Sequence, residues 1–224
     1  MPESLRELAS LKSLDVSHNN LTALPAIPLP TLVRLRCTHN QLRTLPPSLS
    51  ACSSLSHLEL ADNRLEQLPA ELAQLHRLAR LDVKSNQLVS LDSALVGSAR
   101  SLTELDVSRN QLRRLPTLAP LRRVVRLELT GNRLEELPAD LGSMAGLVEL
   151  HVGENRLRTL PSSVGQLAAL RTLDLRYIPP RAPSSVPLAA VRLWRKLRSG
   201  FSVYRSNPYH RASKASFGGG VYLR

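Results

Sequence analysis

The sequence predicts an α/β solenoid: a curved stack of short coils, with a parallel β-sheet on the concave side and short helical, 3₁₀ or extended segments on the convex side. Three observations carry this prediction. The pattern LxxLxLxxNxLxxLP starts at Leu11, Leu32, Leu55, Leu78, Leu102, Val124 and Leu147, and its opening alone returns at Leu170. Successive starts lie 21, 23, 23, 24, 22, 23 and 23 residues apart, a fixed period of the kind that marks stacked coils. The ninth position is always asparagine: Asn19, Asn40, Asn63, Asn86, Asn110, Asn132 and Asn155.

Each part of the pattern has a physical reading. Apolar residues at positions four and six alternate as they do in a strand, so both point into one core. The position-nine amide has donor and acceptor capacity, so a stacked column of asparagines can satisfy the backbone of each turn and of its neighbour. Beyond the LP, apolar residues recur three and six places on (Leu72 and Leu75 after Pro69, Leu141 and Met144 after Pro138, Val164 and Leu167 after Pro161) and turn the outer segment inward. One coil cannot bury its apolar face alone, whereas a stack buries a continuous core. Cys37 stands at a position-six site and Cys52 six residues after Pro46, so both are predicted to be small core hydrophobes.

The repeat region is predicted to span residues 1–178, as a half repeat, seven full repeats and a final strand. Pro2, Leu5, Leu8 and Leu11 fall in the register of Pro69, Leu72, Leu75 and Leu78, so the chain enters the pattern halfway through a coil. That uncapped edge is expected to be covered by a partner or by more of a longer chain. Residues 179–187 hold Pro179, Pro180, Pro183 and Pro187 and read as a stiff linker. Residues 188–224 form a basic, aromatic tail. In it Leu188, Val191, Trp194 and Leu197 predict a short helix over 188–199, and an extended arm without strand periodicity follows.

This spacing and pattern resemble the leucine-rich repeat (LRR) family over about residues 2–177. The LP-containing coils are similar to those of intracellular Ras-pathway scaffolds and related adaptors. Repeat one, with LPAIPLPTL, also resembles the shorter repeats of bacterial effector ligases, whose catalytic domain would not fit in the remaining residues. The resemblance implies a non-catalytic protein-interaction scaffold or adaptor that uses its concave face, expected here as a structural subunit of a large assembly. The cysteine-rich caps usual in extracellular members are absent.

Composition narrows the function further. All 18 acidic residues lie in residues 1–176, and nine of the 30 Lys and Arg lie beyond them, so the body is near neutral and the tail purely basic. No apolar run is long enough to span a membrane, and the opening MPESLRELAS has no signal-peptide core. An intracellular, most simply cytoplasmic, protein is expected. No GxSxG, HExxH, P-loop or dinucleotide-binding pattern occurs, so no enzyme, cofactor or catalytic metal is expected.

Two sets of candidate contact residues remain. On the concave face, position five reads Asp15, Arg36, Glu59, Asp82, Asp106, Glu128, His151 and Asp174, with Arg34, Arg80 and Arg126 at position three. The column reads either as a charged groove for a basic partner segment or as ordinary solvated charge. His18, His39 and Asp62 at position eight are predicted neighbours and are read as polar surface rather than as a metal site. In the tail, Arg192, Trp194, Arg195, Lys196, Arg198, Tyr204, Arg205, Tyr209, Arg211 and Lys214 point to an acidic partner surface. RNA, as in a ribonucleoprotein subunit, is one reading: cations neutralise phosphates and aromatic rings stack on bases. The other is protein docking, in a cytoskeletal, axonemal or signalling adaptor, with Trp194 and Phe201 closing the end of the solenoid. A membrane surface ranks third, because the helix is short and no second lipid signal accompanies it.

Overall fold

The computed structural model describes residues 7–26 and 28–176, together with the backbone of Ser202–Tyr204. The predicted helix over 188–199 and the linker lie outside the described residues. The strands are β1 (Ser13–Asp15), β2 (Arg34–Arg36), β3 (His57–Glu59), β4 (Arg80–Asp82), β5 (Glu104–Asp106), β6 (Arg126–Glu128), β7 (Glu149–His151), β8 (Thr172–Asp174) and β9 (Ser202–Tyr204). They form one parallel sheet in chain order. The register is strict, so Leu14, Leu35, Leu58, Leu81, Leu105, Leu127, Leu150 and Leu173 make one continuous row. A three-residue strand buries its middle leucine and turns positions three and five to the opposite, concave face.

The core is built from aliphatic columns, as the repeat predicts. Leu35, Leu58 and Leu127 at position four, and Leu60 and Val83 at position six, are fully buried. Cys37 and Cys52 are fully buried among them, and neither belongs to a disulfide. Burial pushes the Cys37 thiol up to about 12. The Cys52 thiol is also raised by burial, against an opposing hydrogen bond with the Leu29 backbone. Both are packing groups rather than nucleophiles.

The asparagine column works coil to coil. The Asn63 amide donates to Leu60 O at 3.0 Å in its own coil and to Cys37 O at 2.9 Å in the coil before, while its Oδ1 accepts from Leu42 N at 3.0 Å. Asn86, Asn110, Asn132 and Asn155 repeat this arrangement. One buried side chain thus replaces the water that the turn's backbone would otherwise need. Just before each asparagine the chain takes a left-handed turn, at His18, His39, Asp62, Ser85, Arg109, Gly131 and Glu154.

Convex segments follow from what stands at position fifteen. Where it is proline, four coils continue as 3₁₀ turns over Pro47–Ala51, Ala70–Gln74, Ala139–Ser143 and Ser162–Gln166. In the fourth coil Asp92 stands instead, accepts from Ala94 N and Leu95 N at 2.6 and 3.4 Å, and caps an α-helix, α1 (Ser93–Ser98).

One segment departs from the sequence reading. Within the arm read as lacking strand periodicity, Ser202–Tyr204 pairs in parallel with β8, Val203 opposite Leu173. The physical reason is that a parallel ladder is made by backbone groups, so a strand can be added without the leucine pattern that the other coils use for burial.

Candidate functional site

The concave face presents two charged columns, at positions three and five. It carries every residue predicted there: Asp15, Arg34, Arg36, Glu59, Arg80, Asp82, Asp106, Arg126, Glu128 and Asp174. Strict register places like positions of neighbouring coils side by side, about 4.8 Å apart. Charges distant in sequence therefore become neighbours.

Four position-five aspartates share one backbone task. Asp15, Asp82, Asp106 and Asp174 each use Oδ1 to accept the N–H two residues on, from Ser17, Lys84, Ser108 and Arg176, at 3.0, 3.1, 2.9 and 3.0 Å. This local closure ends the strand and starts the turn. Aspartate at position five is thus partly a structural choice, and in Asp82 and Asp106 the second oxygen stays at liberty to meet a ligand.

The face divides into three zones by neutralisation. At the β1–β3 end, Arg36 bridges Asp15 and Glu59, with Nη1 at 3.7 Å and Nε at 2.7 Å. Its hydrogen bond to Glu59 raises the guanidinium further above its ordinary range. At the β6–β8 end, Arg126 reaches Glu128 and Glu149 at 2.9 and 3.5 Å. His151 sits between Glu128 and Asp174 at 3.6 and 3.7 Å, and Arg176 lies 2.6 Å from Asp174. Asp174 is almost fully buried, at 1% exposure. Burial pushes its carboxyl up, but His151 and Arg176 outweigh that and hold it well below the usual carboxylate range. The same contact with Asp174 raises His151 above its ordinary value.

Between these ends lie Asp82 and Asp106, side by side in register. Among the described residues neither forms an ion pair within 4 Å, and position-three Arg80 turns to Glu104 at 3.2 Å instead. Burial pushes the Asp82 carboxyl up, and the neighbouring Asp106 and Glu59 add to that, against the opposing Lys84 backbone bond and the charge of Arg80. Glu128, at the border of this zone, is likewise raised by burial. At the centre of the face, Asp82 and Asp106 are therefore adjacent carboxylates without a direct ion pair among the described residues.

Several participants were missed in the sequence. Glu104 and Glu149 at position three are the partners of Arg80 and Arg126, and the alternation Arg80, Glu104, Arg126, Glu149 along the column was the available signal. Arg176, at position seven, gave no such signal. The position-eight residues are brought together as predicted: the His18 and His39 rings stack at 4.3 Å and 19°, with His39 Nε2 3.6 Å from Asp62 Oδ2. No group among the described residues is arranged to hold a metal ion, and no helix among them is long and apolar enough to cross a membrane. Of the predicted tail contacts, only the Tyr204 backbone is described. It stands in register with Asp174 at the end of the position-five column. The other tail contacts lie outside the described residues.

Short parallel strands, an asparagine ladder and a variable charged concave face define a repeat solenoid of the interaction type. The chain belongs to the leucine-rich repeat family. The family model "Leucine rich repeat" matches residues 30–88, 76–134 and 122–177, and a second model of that description matches residues 7–24. Human Vasorin is 34% identical over 130 residues, 57% of this chain and 16% of Vasorin. Rat Osteomodulin is 31% identical over 147 residues, 64% of this chain and 34% of Osteomodulin. The chain thus spans a small part of these relatives' lengths. Among solved structures, the Leptospira interrogans LRR protein LIC12759 superposes with a TM-score of 0.82 at 28% identity, over 92% of this chain and 53% of that one. The plant peptide hormone receptor RGFR1, in complex with RGF2, gives 0.75 at 27% identity, over 92% and 35%.

Proposed function

We propose that this chain is a non-catalytic protein-interaction module whose concave face receives a basic segment of a partner. The observation that carries this reading is the Asp82–Asp106 strip, a pair of adjacent carboxylates that form no ion pair within 4 Å among the described residues, flanked on both sides by neutralised groups. Burial is the main cause that raises Asp82 and its contact with Asp106 adds to it, so a lysine or arginine entering there favours both carboxylates in their charged form. The peptide-hormone complex of RGFR1 supports the use of such a solenoid for a peptide. A structural role in a larger assembly extends this reading, with the basic tail anchored on an acidic surface, RNA among the candidates. An intracellular setting rests on Cys37 and Cys52 being core packing groups rather than a disulfide clamp. Recovery of the tagged chain from culture medium would overturn that setting.

The test is binding of fluorescent Lys/Arg-containing peptides to the full chain and to Asp82→Asn/Asp106→Asn, followed by anisotropy at low and physiological salt. Basic peptides should bind the parent chain and lose about tenfold or more on the double substitution, since charge-assisted contacts to half-buried carboxylates are worth about one to a few kcal/mol. Unchanged affinity in the double variant would remove the strip from the binding site. Arg34, exposed and without an ion pair among the described residues, is the expected contact for an acidic residue of the same partner.

A further inference from the structure

The edge of the sheet where the strands begin has a charge character opposite to the concave face. In each coil, the five residues ending at position two lie along this edge, and they are stacked by backbone hydrogen bonds. Ala79 N donates to Ser56 O, Thr103 N to Ala79 O, Val125 N to Thr103 O, Val148 N to Val125 O and Arg171 N to Val148 O, all at 2.8–2.9 Å. The eight such segments (8–12, 29–33, 52–56, 75–79, 99–103, 121–125, 144–148 and 167–171) contain no Asp or Glu. They carry Lys12, Arg77, Arg100, Arg122, Arg123 and Arg171. Arg77, Arg100 and the Arg122–Arg123 pair stand in three successive coils, those of β4, β5 and β6. All four are exposed, and among the described residues none forms an ion pair or a side-chain hydrogen bond. The opposite edge, by contrast, interleaves Arg64, Arg133 and Arg156 with Glu66, Glu135 and Glu154.

We propose that this edge takes the phosphodiester backbone of a nucleic-acid duplex, through Arg77, Arg100, Arg122 and Arg123, contacting phosphates and not bases. A row of cations at strand spacing, about 4.8 Å per coil, presents a linear array to a linear polyanion, whose attraction comes from counterion release. The described repeat region holds no Phe, Tyr or Trp, and His76 is the one imidazole in these edge segments, so the edge has no row of rings on which to stack successive unpaired bases, and a duplex backbone suits it better than a single strand. A protein partner would need an apolar anchor at the centre of its footprint. The exposed large apolar residues at this edge, Leu8, Val33 and Val125, stand in the coils of β1, β2 and β6, and only Val125 shares a coil with these arginines. The acidic strip on the concave face repels phosphate, so the two surfaces are matched to opposite partners and this proposal is independent of the peptide-binding reading.

The experiment compares the full chain, with its tail intact, against Arg77→Gln/Arg100→Gln/Arg122→Gln/Arg123→Gln. A control with the same charge change at the opposite edge is Arg64→Gln/Arg113→Gln/Arg133→Gln/Arg156→Gln. The probes are a 20-base-pair RNA duplex, a 20-nucleotide oligo-U and a heparin-derived oligosaccharide, titrated across salt. The first variant should lose about tenfold or more in duplex affinity at low salt, and its log–log salt slope should fall by roughly three. The control should change less than threefold. Equal losses in the two variants would reduce the effect to overall charge and overturn the proposal. So would an edge-specific loss confined to the oligosaccharide or to oligo-U. Because the four side chains are exposed and unpaired, unchanged melting of both variants is expected, and it separates binding from folding.

Discussion

The two ends of the sheet follow the same pattern and have different surroundings. At β1, Leu14 is only partly buried and Asp15 lies open to solvent. Asn19 is exposed, with its amide bound to Val16 O and Ser17 O of its own turn. At β8, Leu173 is 4% exposed and Asp174 1%, because the β9 backbone lies on the outer edge and Arg176 folds over the carboxylate. The difference teaches that a coil of this fold is stable through its neighbours: identical residues are core in one place and surface in the other.

The comparison can be broken most sharply at the leucines. Leu173→Ala should cost about 2–5 kcal/mol, as a buried deletion does, while Leu14→Ala should cost about 1 kcal/mol or less, in proportion to its partial burial. Chemical denaturation of both variants measures the gap, and equal costs would show the ends to be equivalent. The asparagines sharpen the same contrast. Asn155→Ala strands Leu134 N and the carbonyls of Leu129 and Val152, so a loss of about 2–3 kcal/mol is expected for groups left buried and unpaired. Asn19→Ala should cost about 0.5 kcal/mol, since water can replace its bonds.

The smallest effect is expected in pH dependence, and its sign differs between the partners. Asp174 is held well below the ordinary carboxylate value. Its stabilisation is therefore present above that value and lost only as pH falls through its depressed folded-state pKa. His151 is raised above 6.5, so its contribution is complete below about 6.5 and fades as pH rises through the raised value. His151→Gln should flatten the decline in stability on the alkaline side of 6.5, and Asp174→Asn should weaken the acidic limb as well. Thermal melting across pH reads both, and an unchanged alkaline limb in His151→Gln would remove the histidine from the account.

Much of this was legible in the sequence because the repeat fixes the register. Once Leu35, Leu58 and Leu81 are aligned, the positions of Arg36, Glu59 and Asp82 on one face follow, as does the burial of Cys37. The outcome of the charges was not legible. Whether Arg80 would turn toward Asp82 or Glu104 depends on side-chain reach across neighbouring strands, and position-seven Arg176 closing on Asp174 crosses from turn to strand. Helix α1 was readable in hindsight, since Asp92 in place of proline offers a capping carboxylate where the other coils offer none.

The sequence by itself determined the coil, its period, its aliphatic core and its asparagine ladder, because each of these is a local pattern that every copy repeats. Only the tertiary structure decided which carboxylates lack a cation, which edge collects unpaired arginines, and that Ser202–Tyr204 joins the sheet. Those properties arise from distances between coils and from backbone pairing. The sequence places the charges along the coils, but which of them pair is set by side-chain reach between strands.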